Sequence, residues 1–436
     1  MSVPADIFAV MPTSLSSSPA RHSVTVPFVP VVLGGDLPAY TLARAFHAEL
    51  GVRTVVVSRT VPYAVRDAGI VDNLVCPDMD DQQALADFLH GVADTRPDHR
   101  LLLLGTMDAW IERIGRLRHL LDDRFVVPYP DQGLIEQLND KQNFADLCAE
   151  LGVAHPVTRV LDHDVPEDRV GEVLEGMRWP LVVKAADPPA FIELIYPGKK
   201  KVGFADDLAE LLDQRRTMSR AGYSGALVIQ ERIPGGDEQM RVLTTYSDRS
   251  GKVRWGRLGH VLLEDHDPVM IGNPLAIIHA EEGTTVQEAA RLLEHVGWTG
   301  HANFDIKVDP RDGTEYFFEL NPRLGRSHAY LHAAGHPFLT PLVREHVEDR
   351  DPLDDVDMGP ARDGWLYSVV PVPLLMRYVT DPETRRRLKD IRRRGFVVRP
   401  FIYRADRHWS RITAQLRNDA LLTRNFARNY RRPVVG

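Results

Sequence analysis

The stretch HANFDIKVDPRDGTEYFFELNPRLGRS, His301 to Ser327, decides the reading of this chain. Pro310-Arg311-Asp312-Gly313 is strong turn chemistry between two alternating segments, so the stretch reads as a hairpin. On the first strand Phe304, Ile306 and Val308 share one face, leaving Asn303, Asp305 and Lys307 on the other. On the second, Tyr316, Phe318 and Leu320 are expected to bury, with Glu315, Phe317, Glu319 and Asn321 opposite. A five-residue loop, Pro310 to Thr314, sets Asp305 across from Glu319, with Cβ atoms about 5 Å apart. Carboxylates that close repel unless a cation or a proton lies between them. With the Asn321 amide oxygen they form a hard-oxygen set suited to Mg2+ or Mn2+. Arg323 and Arg326 follow directly, where cations can hold phosphoryl oxygens. The competing reading is an exposed acidic hairpin with solvated side chains.

The rest of the chain sets the frame for that hairpin. Its 436 residues suit two or three domains, and 44% hydrophobic with 26% charged residues is a globular balance. No run approaches the roughly 18 apolar residues of a membrane span. Cys76 and Cys148 are the only cysteines, which excludes a disulfide framework and a cysteine zinc site. The first residues lack a basic segment ahead of an apolar one, so a soluble, cytoplasmic protein is expected. The net charge of −8 is uneven: from Arg385 onward the excess is thirteen positive charges. The acidic remainder argues against nucleic-acid partners. Within the basic segment Trp409, Ile412, Leu416 and Ala420 recur at helical spacing, giving a helix with a solvated arginine face.

From Phe28 the pattern is strand, turn, helix, strand. FVPVVLGGD ends in Gly34-Gly35-Asp36; a helical stretch stopped by Gly51 leads to VRTVVVS; RLLLLGTMD and FVVPYP supply two more strands. Alternating strands and helices predict a parallel, Rossmann-like sheet with ligands at strand carboxyl ends, where Asp36 and Asp108 fall. The GxGxxG and GxxxxGK[ST] fingerprints are absent. Pro128-Tyr129-Pro130 reads as a linker. Beyond it come a helix over Gln132 to Gly152, a strand over Trp179 to Ala186, a lysine-bearing loop (YPGKKKVGF), and strands at ALVIQERI, MRVLTTYSD and KVRWGRLGHVLL. Mixed hairpins and helices indicate an α+β region.

With these segments in hand, the sequence resembles the ATP-grasp superfamily, most specifically in ELNPR. The resemblance implies metal ligation by Asp305, Glu319 and Asn321. It also implies that Arg323, with Arg326, holds the transferring phosphoryl group. Lys141 in NDKQNF and Lys184 in PLVVKAA match the two family lysines that meet ATP phosphates, and Lys184 counts among the catalytic groups. In VIQERIPGGDE, backbone groups around Glu231, Arg232 and Ile233 would hold the adenine edge, and Glu238 would take the ribose hydroxyls. Where many family members carry a small-residue, glycine-rich loop over the phosphates, this chain has Lys199, Lys200 and Lys201 between Gly198 and Gly203.

The implied architecture is α/β and α+β: a tail at 1–27, flexible on this reading, a Rossmann-like pre-ATP-grasp domain at 28–130, an ATP-grasp domain at 131–345 and a basic C-terminal segment at 346–436. Within the superfamily the chain is most similar to carboxylate–amine ligases of the D-aspartate ligase type. That implies an acyl phosphate made with ATP and Mg2+ (or Mn2+), then an amide, with ADP and phosphate released. D-aspartate is the implied acid, and the side-chain amine of a nucleotide-linked muropeptide the implied acceptor; a homodimer is compatible with this. Asp36, Asp108, Asn273 and His301 are candidates for the substrate sites. The competing functions are amino-acid or peptide ligation in specialised metabolism, bicarbonate activation, and nucleotide sensing without turnover.

Overall fold

A computed structural model describes residues 22–267, 270–359 and 364–430. Most of the expected 1–27 tail lies outside the described residues. Its last part is held down: Thr25 donates through its amide and hydroxyl to Glu348 Oε1, and Val24 and Val26 pack on the core. Residues 22–27 are therefore not a flexible tail.

The first sheet is parallel throughout, ordered β3-β2-β1-β4-β5, from β1 (Phe28–Leu33), β2 (Thr54–Ser58), β3 (Val71–Val75), β4 (Arg100–Gly105) and β5 (Phe125–Val126). The third strand, VDNLV, escaped the sequence reading because it is short and polar. Asp36 caps the helix Leu37–Leu50, accepting from the Ala39 amide at 3.4 Å, and Gly51 ends it with φ 73°. Gly34 has φ 107°, and a Cβ there would meet Thr106 Oγ1 at 2.3 Å, so β1 leaves the sheet by a turn open to glycine.

A second sheet, ordered β6-β9-β7-β8, joins β6 (Thr158–Leu161), β7 (Leu181–Ala185), β8 (Gly203–Ala205) and β9 (Leu227–Glu231) in antiparallel pairs. The third has seven strands ordered β14-β13-β10-β11-β12-β15-β16. They are β10 (Met240–Ser247), β11 (Val253–Glu264), β12 (Pro274–His279), β13 (Gly300–Val308), β14 (Glu315–Asn321), β15 (Leu366–Ser368) and β16 (Val397–Val398). Tyr129, in the expected linker, is half-buried against the hydrophobic clusters of the parallel and seven-stranded sheets, and its hydroxyl accepts from the Gly105 amide at 3.0 Å. It is a packed joint.

Two other expectations change. The single helix over Gln132 to Gly152 is two, Gln132–Asn139 and Lys141–Glu150, because Asp140 turns out of the helix and caps the second through Gln142 and Asn143. The break sets Lys141 in a first turn. The C-terminal helix, Trp409–Asn429, buries Gln415 and Phe426, while Trp409, Leu416 and Leu421 are 68%, 50% and 53% exposed. Its apolar stripe faces outward. Among the described residues no helix is long and apolar enough to cross a membrane.

Candidate active site

Asp305 lies directly opposite Glu319, and Asn303 opposite Asn321. The route to that register differs from the expectation. At the turn Val308 faces Glu315, one residue out from a Pro310–Thr314 loop; Phe318 then bulges from β14 and restores the pairing at Glu319. In consequence Phe317, rather than Tyr316 and Phe318, is the buried aromatic of this strand. Phe318 turns to the other side, its ring 5.7 Å from the Lys184 ammonium.

Positive charge converges on the carboxylate pair. Lys141 Nζ stands 3.5 Å from Glu319 Oε2, and the Glu319 side chain keeps 36% of its surface open. That opening gives a ligand access to the carboxylate. Burial raises the proton affinity of Asp305, as does the Glu319 charge beside it, so its carboxyl lies well above the usual range. The enclosure acts upward on Glu319 too, but Lys141, Lys184 and Lys201 outweigh it and hold this carboxyl low. Lys184 donates to Gln230 Oε1 at 3.0 Å, and burial lowers its ammonium to about 8.

The loop after β14 runs against the sheet: a Cβ on Gly325 would meet Asn303 Oδ1 at 2.5 Å. The loop's Arg323 donates from Nη2 to Asp108 Oδ2 at 2.9 Å, with Nε 2.7 Å from Oδ1, and to Asn321 Oδ1 at 3.3 Å. Arg326, three residues on, has no hydrogen-bond or ion-pair partner among the described residues; it lines a cavity with Asp36.

At the expected adenine edge the amides of Glu231 and Arg232 are already used, donating to Val157 O and Pro180 O at 3.0 and 3.2 Å. The Ile233 amide has no partner among the described residues, so it is the free donor of the three. The buried Glu231 side chain instead receives the Arg178 amide at 2.8 Å and guanidinium at 2.9 Å. Glu238 is exposed in the short turn before β10.

Two sequence candidates do not reach the cleft. His301 is a core residue, bonded through Nε2 to Phe338 O and packed on Tyr246 and Trp255. Asn273 closes its own turn onto Met270 O. Three residues gain importance. Lys201 exerts its charge on Asp305, Glu319 and Lys184, whereas neighbouring Lys199 is occupied by Ile192 O and Leu194 O. Glu264 is pushed upward by burial, by Asp237 and by Asp305. Phe318 is the third. The YPGKKKVGF loop gave a signal for the lysine; a glutamate at a strand end gave none.

No group of three or more His, Cys, Asp or Glu among the described residues is arranged to hold a metal ion. Asp305, Glu319 and Asn321 offer carboxylate and amide oxygens at one end of a hairpin, the donor type that suits Mg2+ or Mn2+ completed by water and phosphate. A divalent cation held there would offset the repulsion between the two carboxylates that, with burial, raises the proton affinity of Asp305.

Residues 140–344 match the family model of the carbamoyl-phosphate synthase L chain, ATP binding domain. These residues carry an ATP-grasp, ATP-binding domain. Among individual proteins, its sequence is 29% identical over 388 residues to D-aspartate ligase of Enterococcus faecium, covering 87% of this chain and 91% of the relative. It is 24% identical over 366 residues to the carbamoyl phosphate synthase large chain of Thermomicrobium roseum, of which it covers 32%. The fold is similar to that of L-amino acid ligase from Bacillus licheniformis, with TM-score 0.53 and 15% identity, covering 77% of this chain and 78% of that one. An N5-carboxyaminoimidazole ribonucleotide synthetase in complex with ADP gives TM-score 0.55 at 14% identity, covering 78% and 80%.

Proposed function

We propose that the protein joins D-aspartate to the side-chain amine of a peptidoglycan-precursor peptide. The observation that carries the ligase chemistry is the paired Asp305 and Glu319 ringed by Lys141, Lys184, Lys201 and Arg323. The 29% identity to D-aspartate ligase supports the choice of acid and acceptor.

A carboxylate is a poor acyl donor because oxide would have to leave. One of its oxygens attacks the γ-phosphorus of ATP, the bond from that phosphorus to the β–γ bridging oxygen breaks, and ADP departs. The free acceptor amine then attacks the acyl carbon, a carbon–nitrogen bond forms, the nitrogen's surplus proton passes to the departing phosphate, and phosphate leaves with the former carboxylate oxygen. The protein's part is placement and charge compensation. Lys141 and Lys184 neutralise triphosphate oxygens, and Lys201 adds charge from its loop. Arg323, aimed by Asp108, meets the transferring phosphoryl group, with Arg326 beyond it. The Ile233 amide takes the adenine edge, Phe318 offers an apolar surface beside Lys184, and Glu238 reaches the ribose. Asp305, Glu319 and Asn321 would hold Mg2+, which when bound supplies charge neutralisation for the β- and γ-phosphates.

The test is hydroxylamine trapping across a panel of acids. An activated acid yields a hydroxamate without its natural amine. D-aspartate is expected to give the largest ATP-dependent signal. A larger signal from another acid reassigns the substrate; phosphate release that depends on bicarbonate, with no hydroxamate from any acid, overturns the ligase reading.

A further inference from the structure

Two cavities meet between the loop after β2 and the C-terminal helix. The inner one, about 300 Å3, is lined by Gly35, Asp36, Arg326 and Leu422 among others. The outer one, about 540 Å3, is lined by Arg66, Arg411, Arg417 and Leu421 among others. They share Tyr63, Ala64, Phe401 and Asn418, so they form one groove. Small-molecule pockets span about 300–1,000 Å3, and the inner cavity alone would hold a free amino acid. The outer one is additional space.

The groove has a built wall. Arg411 donates to Ala64 O and Arg66 O at 3.2 and 2.9 Å and lies 4.1 Å from the Tyr40 ring centroid; Ser410 donates to Asp67 Oδ2 at 2.7 Å. These contacts tie the C-terminal helix to the first sheet. Tyr63 meets Phe401 edge-on at 6.2 Å yet stays 47% exposed, as does Leu421 at 53%. Tyr63, Phe401 and Leu421 thus give the groove an apolar lining beside its charged ends. The charges sort along the groove. At the inner end Asp36 and Arg326, which is in the same loop as Arg323, line the cavity together, and the Arg326 charge acts on the carboxyls of Asp36 and Asp265. At the outer end Asp406 compensates Arg411 and Ser410 occupies Asp67, while Arg417 has no partner among the described residues and Arg66 meets only Val61 O, at 3.1 Å.

We infer that this groove is the acceptor subsite: the amine enters at Asp36 beside the acyl phosphate, the body of the acceptor lies on Tyr63 and Phe401, and Arg66 and Arg417 hold an anionic group at its far end. The inference rests on the ligase reading above and assigns its second substrate to residues outside the nucleotide site.

The experiment compares two synthetic lysine acceptors in the full-length enzyme with the acid found by trapping. One is Nα-acetyl-lysine amide. The other is a lysine-containing pentapeptide ending in a phosphate monoester. The phosphopeptide is expected to show at least tenfold higher kcat/KM. The double variant Arg66→Gln, Arg417→Gln should erase that preference through KM for the phosphopeptide, relative to hydroxamate formation by the same preparation. Asp36→Asn, which keeps the helix cap, should raise KM for both probes. Equal use of the two probes, use of neither while hydroxamate still forms, or a preference that survives in the double variant overturns the inference. Absence of any hydroxamate from the wild-type enzyme counts instead against the ligase reading.

Discussion

Asp108 and Arg323, 215 residues apart, meet in a two-point ion pair at 2.7 and 2.9 Å. One follows β4 of the parallel sheet; the other follows the carboxylate hairpin of the seven-stranded sheet. The pair fixes the direction of the guanidinium beside Asn321 and links the two regions at the site. Asp108 is half-exposed, so its weight should be felt in catalysis more than in stability.

Asp108→Ala should lower kcat about tenfold or more, about 1.4 kcal/mol in the barrier, because Arg323 loses its orientation. Steady-state kinetics and a thermal melt check this together. The expected melt shift is small, and an unchanged kcat would remove Asp108 from the machinery.

Asp305→Asn takes one charge from the hairpin while keeping its shape. Loss of one such stabilising group costs about 3–4 kcal/mol, 100- to 1,000-fold in kcat. Circular dichroism should match wild type, and the Mg2+ concentration for half-maximal rate should rise. Near-normal turnover would contradict the assigned role.

Much of this site was legible in the sequence for a simple reason. Side chains alternate along a strand, so a turn plus two acids predicts a facing pair. The pairing of Asp305 with Glu319 was read correctly from an incorrect loop length, because the bulge at Phe318 offset the error. A bulge depends on how the strand bends over its neighbours, which the local pattern does not encode, and it is why the buried aromatic was misassigned. The role of Asp108 depends on two sheets packing together and could not be read from spacing. His301 misled because a polar residue at a strand end looks available, although Tyr246, Trp255 and Phe338 enclose it. The helix at 132–152 failed where Asp140 prefers capping to continuation.

Burial also sets an acid limit on stability. His301 and His332 are lowered to about 3, and His328 to about 4, in each case chiefly by burial. Their folded pKa values lie below the ordinary 6.5, so the unfolded chain binds protons that the folded chain refuses. Stability from these groups is full above pH 6.5 and falls as pH drops toward 4. Each contributes at most about 1.4 kcal/mol per pH unit. The buried carboxyls of Glu49 and Glu264, raised to about 8, act in the opposite sense, so the test is a difference: from pH 7 to pH 5 His332→Gln should lose less melting temperature than wild type, and an equal loss would contradict the account.

At the expected adenine edge, Glu231→Ala removes the acceptor of the Arg178 amide and guanidinium. The exposed guanidinium can turn to water, so the loss of stability falls on the amide and on the space the buried carboxylate filled. Chemical denaturation should show that loss, with a higher KM for ATP because the strand leading to the Ile233 amide is less firmly held. A stability loss without any change in ATP affinity would separate the Glu231 segment from nucleotide binding.

The central claim is that the carboxylate hairpin presents ATP so that an acid's oxygen takes its γ-phosphoryl group. The most direct measurement uses the acid that gives a hydroxamate, labelled with 18O in the reacting carboxylate, and mass analysis of the phosphate released during amide formation. The account predicts one 18O atom in each phosphate, carried from the acid as the acyl phosphate breaks. Phosphate free of 18O, with amide still formed, would contradict it.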